Sequence, residues 1–276
     1  MVGRYKVIRG VQSAAPGALP KISMDATDAI LAGIVNSANA GALQFDIKPS
    51  SLAASGSFSL LGKDRGLGKT VSAQRATVAK IASEPLFNNK PAINCLAADG
   101  DGGSDLTMYA SPPAGLNFTW FAVLTIDSVL KATPRTARIL VVNDPVSKAT
   151  IATLQLTPSG GIAFIANNGV VQSSIGVGSV PAANTPFVVA GSYNFGTLTS
   201  RVYLNNNTVI DEDVAATNPV FDPSYVMGIG SPTYLTTGNL AWHGKIARIV
   251  GYRAALSSDL ITTVMNALKA EYGVSG

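Results

Sequence analysis

From about residue 90 onward the chain repeats one pattern. Short apolar runs alternate with breaks rich in Asn, Asp, Gly and Pro. The runs are Ala92–Leu96, Leu106–Tyr109, Phe118–Ile126, Ala137–Val142, Ile151–Leu156, Ile162–Ala166, Phe187–Tyr193, Ser200–Leu204, Tyr225–Ile229 and Ala241–Tyr252. Many short strands at this spacing, bounded by turn chemistry, predict a sandwich or barrel. Ile151-Ala152-Thr153-Leu154-Gln155-Leu156 alternates, which puts one face on a core. Phe118–Ile126 is apolar on both faces and is expected at the centre of a sheet. Arg201–Ile210 reads as a hairpin, because its Asn205-Asn206-Asn207 tolerates the left-handed backbone of a tight turn.

The pattern switches to helical spacing at the end. Ser257 is placed as an N-cap, with Asp259 in the first turn where negative charge suits the helix dipole. Leu256 and Ile261 form a hydrophobic staple. Leu260, Val264, Leu268 and Tyr272 make one stripe, and Gly273 stops the helix. The prediction is a helix over 257–272.

The first ninety residues are less regular. Residues 1–22 read as an extended arm in which Arg4, Lys6 and Arg9 alternate with Tyr5, Val7 and Ile8, before the break Pro16-Gly17-Ala18-Leu19-Pro20. Such an arm either frays or adds as a strand to a neighbouring subunit. Residues 23–84 form a separate segment. It holds a short helix around Ile30, Leu31, Ile34 and Val35, a strand at Phe45–Lys48, and a basic loop; 50–89 is expected to be loop-rich. Residues 85–276 then form the sandwich.

Composition bounds the function. Of 276 residues 47% are hydrophobic and only 13% charged, enough for a large core and consistent with a surface partly covered by neighbours. Residues 1–90 hold eleven basic and five acidic residues, net +6, while 91–276 are net −2. The basic charges are scattered, so direct nucleic-acid binding is not expected. No apolar run approaches the roughly 20 residues of a membrane span. No apolar stretch follows Met1–Gly10, so no secretory signal is expected. The single cysteine, Cys95, excludes an internal disulfide framework and reads as a small core residue.

Four segments resemble a known family. Pro85-Leu86-Phe87-Asn88-Asn89-Lys90-Pro91-Ala92-Ile93 is similar to the opening of a laminin-G / concanavalin A-like lectin-glucanase domain, with Asn89 where that family usually has Gly. Asp99-Gly100 through Leu106 resembles its first turn, and Asn117–Leu124 its central strand. Gly244–Ser257, followed by a helix ending Glu271-Tyr272-Gly273-Val274, is the most specific match. The resemblance covers residues 85–276, in the variant found in phage virion and bacterial surface proteins. It implies a mainly β fold: a two-sheet antiparallel jelly-roll sandwich, here with an amino-terminal arm and a carboxy-terminal helix.

Candidate chemistry is sparse. Glycoside hydrolysis needs two carboxyl groups flanking the bond. The only Glu residues are Glu84, Glu212 and Glu271, and none lies in a Glu-x-Asp-x-Glu strand. Asp211-Glu212-Asp213 reads as a solvated edge. Gly66-Leu67-Gly68-Lys69-Thr70 mimics a phosphate loop, but its spacing fails: Lys63 stands where the first Gly belongs. Asp99, Asp101 and Asp105 are candidate Ca²⁺ ligands, against a plain surface turn. His243 is the sole histidine and reads as structural, since one His and one Cys do not make a zinc site. Tyr234 is the candidate glycan-stacking aromatic; Trp120, Trp242, Tyr193, Tyr203 and Tyr252 are assigned to packing. Arg4, Lys6 and Arg9 are candidate partner contacts.

The expected function is a non-enzymatic structural protein of a phage-like virion. It would sit on the virion surface, made in the host cytoplasm. It would bind capsid or tail structural proteins through its amino-terminal region, as a homo-oligomer or lattice, and display the sandwich outward. The alternative is a carbohydrate-binding, lectin-like module that recognises a host glycan. No cofactor is expected beyond the Ca²⁺ candidate.

Overall fold

The computed structural model describes residues 26–35, 43–55, 58–63, 65, 70–73, 78–95, 106–108, 117–144, 146–147, 149–167, 172–175, 180–205, 209–214, 225–230 and 240–275. In chain order the elements are α1 (Ala26–Val35), β1 (Leu43–Ile47), β2 (Leu52–Ser55), β3 (Phe58–Lys63), β4 (Thr70–Ala73), β5 (Val78–Glu84), β6 (Lys90–Cys95), β7 (Leu106–Met108) and β8 (Phe118–Ile126). Then come α2 (Ser128–Ala132), β9 (Ala137–Asn143), β10 (Thr150–Leu156), β11 (Ile162–Asn167), β12 (Gln172–Ile175) and β13 (Phe187–Asn194). The chain finishes with β14 (Thr199–Leu204), β15 (Val209–Val214), β16 (Val226–Ile229), β17 (Gly244–Tyr252) and α3 (Ser258–Tyr272).

The described strands build two sheets, and every pairing among them is antiparallel. One has the order β15-β14-β13-β8-β17-β6-β5, with β1 also on β17. The other runs β12-β11-β10-β9-β16-β7-β4-β3-β2. The molecule is therefore the expected mainly β sandwich with a terminal helix. The stretch expected to be loop-rich instead carries β2 to β5. Its strands are short and rich in Ala and Ser, so they lack the strong apolar alternation that marks a strand in sequence. They join the same two sheets as the strands that follow residue 85.

Two apolar layers hold the fold. Between the sheets lie Phe118, Trp120, Leu124, Leu140, Leu154, Phe164, Val189 and Ile249, all buried. Phe118 anchors an aromatic cluster there, with its ring centroid 4.7 Å from Trp120 and 5.8 Å from both Phe164 and Tyr193. The second layer lies on the far face of the eight-stranded sheet. There Phe121, Val123, Val188, Tyr203, Val250 and Tyr252 pack with Leu31 and Ile34 of α1 and with Ile261, Val264, Met265 and Leu268 of α3. β8 faces both layers, which is why all nine of its residues are buried.

α3 forms for the reasons its sequence gives. Ser257 Oγ accepts from the Leu260 amide at 3.4 Å, Asp259 stands in the first turn, and Gly273 takes the left-handed conformation at φ 67°. Burying its Ile, Val, Met and Leu side chains contributes about 1.5–3 kcal/mol each. The buried stripe is rotated slightly from expectation: Ile261 and Met265 are fully buried, while Leu260 packs at the margin. α2 was not visible as a pattern. It is one turn long and rests on Asp127, whose Oδ1 accepts from the Leu130 amide at 2.8 Å.

Candidate functional site

Among the described residues, the densest group of charged side chains lies where α1, β1, β17 and α3 meet. Arg248 projects from β17 onto the helix-covered face with its side chain fully buried. Its Nε donates to Asp46 Oδ1 and its Nη2 to Asp46 Oδ2, both at 2.8 Å. Nη2 also reaches Asp28 Oδ1 at 2.7 Å, and Nη1 reaches Glu271 Oε2 at 2.6 Å. Lys48 Nζ bridges Asp28 at 3.0 Å and Glu271 at 3.2 Å. Arg65 closes the group with Nη2 2.6 Å from Asp28 Oδ2. Three carboxylates meet three cations, so the cluster is neutral overall.

The environment fixes these charge states. Burial alone would raise the Asp28 carboxyl, but hydrogen bonds from Arg65, Arg248 and Lys48 outweigh it and hold the group well below the usual carboxylate range. Burial would lower Arg248, but Asp46 hydrogen bonding and the Asp46 and Glu271 charges hold it above its ordinary value. A carboxylate clamped this way has no proton to give and no lone pair directed at a ligand. The cluster ties the amino-terminal helix and strand to the last strand and last helix.

Buried Glu84 and partly buried Asp127 are also occupied. Glu84 accepts from the Leu86 amide at 3.2 Å and pairs with Lys245 at 2.6 Å. Asp127 caps α2 and stands 3.8 Å from His243 Nδ1. Arg135 Nη2 meets His243 Nε2 at 2.6 Å. On β9 and β10, Arg138 Nη1 donates to Gln155 Oε1. No group of three or more His, Cys, Asp or Glu among the described residues is placed to hold a metal ion.

Several sequence candidates fall outside the described residues: Arg4, Lys6 and Arg9, Asp99, Asp101 and Asp105, and Tyr234. The packing assignments hold, since Trp120, Trp242, Tyr193, Tyr203 and Tyr252 are buried. Cys95 is buried in the layer between the sheets. His243 is buried and hydrogen-bonded. Asp211-Glu212-Asp213 lies on β15, the end strand of its sheet among the described strands. The phosphate-loop mimic lies between β3 and β4, which pair as antiparallel neighbours. A phosphate loop instead leads from a strand into a helix. Arg65, from this basic stretch, binds Asp28.

The Arg248 cluster was missed in sequence. The signal was there: one Arg inside the apolar run Ile246–Tyr252, and the alternation Phe45-Asp46-Ile47-Lys48. Neither names its partner, because the contacts of Arg248 with Asp46 and Asp28 bridge more than two hundred residues.

No protein-family model and no curated protein matches the sequence. Solved structures do match. Trypanosoma rangeli sialidase in complex with sialic acid aligns with TM-score 0.54 and 18% identity, over 85% of this chain and 34% of that one. The binding domain of Paraclostridial Mosquitocidal Protein 1 aligns with TM-score 0.56 and 12% identity, over 82% and 52%. The CBM40 of Ruminococcus gnavus IT-sialidase, bound to α2,3 sialyllactose, aligns over 62% of this chain and 96% of its own length, with 15% identity and TM-score 0.46. The chain spans about a third of the length of the sialidases it matches. At such identities the first two likenesses show the fold alone.

Proposed function

We propose that this chain is a non-catalytic recognition module that binds carbohydrate. One observation carries the reading: among the described residues, the buried carboxylates Asp46 and Glu84 and the partly buried Asp28, Asp127 and Glu271 are all engaged by cations or backbone amides. Glycosidic cleavage needs one carboxyl that holds a proton and a second that attacks or activates water. Carboxylates held by such partners are not free to serve either role. A sandwich whose described carboxylates are engaged in this way suits recognition better than turnover, and its fold is shared with the binding domain of Paraclostridial Mosquitocidal Protein 1.

The virion surface is a further part of this proposal, supported by the sequence resemblance. There the module would be held by capsid or tail proteins while it contacts a host glycan. Ca²⁺ at Asp99, Asp101 and Asp105 is proposed on the same basis.

A glycan array on the full chain tests the reading. Sialylated oligosaccharides belong in its first panel, because the matched sialidase is seen with sialic acid. Saturable binding to at least one glycan, without product release, is expected. Hydrolysis of any array sugar, or binding to none, overturns the proposal. Repeating the array in EDTA tests the Ca²⁺ expectation, and mass spectrometry of purified particles tests the virion placement.

A further inference from the structure

The chain holds a single histidine, and the fold buries it to 3% exposure. His243 stands just ahead of β17 and is gripped by both ends of one short segment. At one end Asp127 donates its backbone N–H to the His243 carbonyl at 3.1 Å, and its carboxylate lies 3.8 Å from Nδ1. At the other end Arg135, in the link from α2 to β9, puts Nη2 2.6 Å from Nε2. A guanidinium has donors and no acceptor. Nε2 must therefore accept, which makes the ring neutral with its proton on Nδ1.

A second proton would land on Nε2. It would remove the Arg135 hydrogen bond and press two cations together. Asp127 pulls the other way, since its carboxylate favours the imidazolium. Distance and exposure decide between them. The repulsion acts at 2.6 Å and the attraction at 3.8 Å, and charge interactions weaken with separation. The Asp127 side chain is also 22% exposed, so water screens it in part. Burial of the ring adds to the repulsion, because it disfavours the charged form. The other charged groups described on the surrounding elements are engaged elsewhere. Lys131 of α2 donates to the Val180 carbonyl at 2.6 Å, Lys245 of β17 pairs with Glu84, and Arg138 of β9 meets Gln155.

We infer that His243 is a pH-sensitive joint: it holds segment 127–135 against the start of β17 near neutral pH and releases it on acidification. A histidine kept neutral in the folded state protonates at lower pH there than in the unfolded chain. The stability it contributes is complete above the ordinary midpoint of about 6.5 and is lost progressively as pH falls from there through the lower midpoint of the folded protein. The backbone bonds exposed by release are those of α2: Lys131 N–H to Asp127 O at 3.1 Å and Thr133 N–H to Val129 O at 3.0 Å. This inference is independent of any glycan binding.

One histidine gives one imidazole C2–H resonance, so proton NMR of the full chain reads the joint without a mutation. The expected titration midpoint is at least one pH unit below about 6.5, a tenfold bias against protonation. A midpoint at or above that value overturns the inference. Hydrogen exchange of amides 130–133 is then compared between the wild type and His243→Gln. Lowering pH from 7.5 to 5.5 is expected to cost the wild type about tenfold more protection than the variant. An equal response in both overturns it. Should the variant not fold, Arg135→Met takes its place: its His243 midpoint is expected to rise, and an unchanged midpoint overturns the inference.

Discussion

Arg248 and Asp46 form a two-pronged pair, both bonds 2.8 Å, between strands more than two hundred residues apart in sequence. Both side chains are at most 5% exposed. Removing Asp46 leaves the buried Nε of Arg248 without its acceptor, while Asp28 and Glu271 still hold the guanidinium. Asp46→Ala is therefore expected to cost less in urea unfolding than the roughly 3–5 kcal/mol of a buried charge left with no partner, and about the 1–3 kcal/mol of an unmet buried donor. Replacing both residues with apolar side chains of similar volume is expected to cost far less than the two single losses combined. Additive losses would show that the pair is not coupled.

Acid is expected to weaken the same junction. The Asp28 carboxyl is held below its ordinary range in the folded protein by Arg65, Arg248 and Lys48, against the opposing effect of burial. A depressed carboxylate contributes stability above its unfolded value of about 3.9, and that contribution is lost as pH falls below it. Thermal melts between pH 2 and pH 5 are expected to drop steeply on the acid side. Asp28→Asn is expected to flatten this limb while lowering stability at pH 7.

Gly191 lets the two sheets approach. A Cβ there would lie 2.2 Å from Cδ2 of Phe164 on the facing sheet. Gly191→Ala must push the ring aside, and overpacking of this kind costs about 1–3 kcal/mol. Pairing it with Phe164→Leu is expected to recover part of the loss in a double-mutant cycle. A fully additive cycle would place the strain elsewhere.

At α3, Ser257→Ala removes the side-chain acceptor of the Leu260 amide. The expected loss is about 0.5–1 kcal/mol, at the lower end for a cap because the bond is long. Ser257→Asp is expected to be neutral or stabilising. The comparison of melting temperatures checks both.

The elements legible in sequence were those whose signal is local. β8 announced itself because both of its faces are buried, and α3 because cap, stripe and stop all fall within seventeen residues. β12 and β2 to β5 were missed, since Gln172-Ser173-Ser174 and Leu52-Ala53-Ala54 carry no strong alternation and are strands only through their neighbours. Spacing led to a sandwich or barrel and the resemblance to the sandwich, but neither led to the cluster at Arg248. Its six members come from five separate stretches of chain, and only folding brings them within 4 Å of one another. The glycan and metal candidates were named from turn chemistry alone, and they lie outside the described residues.

β17 pairs with β8 along one side and with both β6 and β1 along the other. It therefore joins strands drawn from residues 43–47, 90–95 and 118–126, yet it is itself residues 244–252. A ribosome makes those earlier strands long before their common partner exists. Until then they have an open seam at the middle of the sheet, and long-range pairing of this kind is slow and prone to association. A chain halted before residue 244 is expected to need a chaperone to stay soluble, and the nascent protein must wait for its own closing strand.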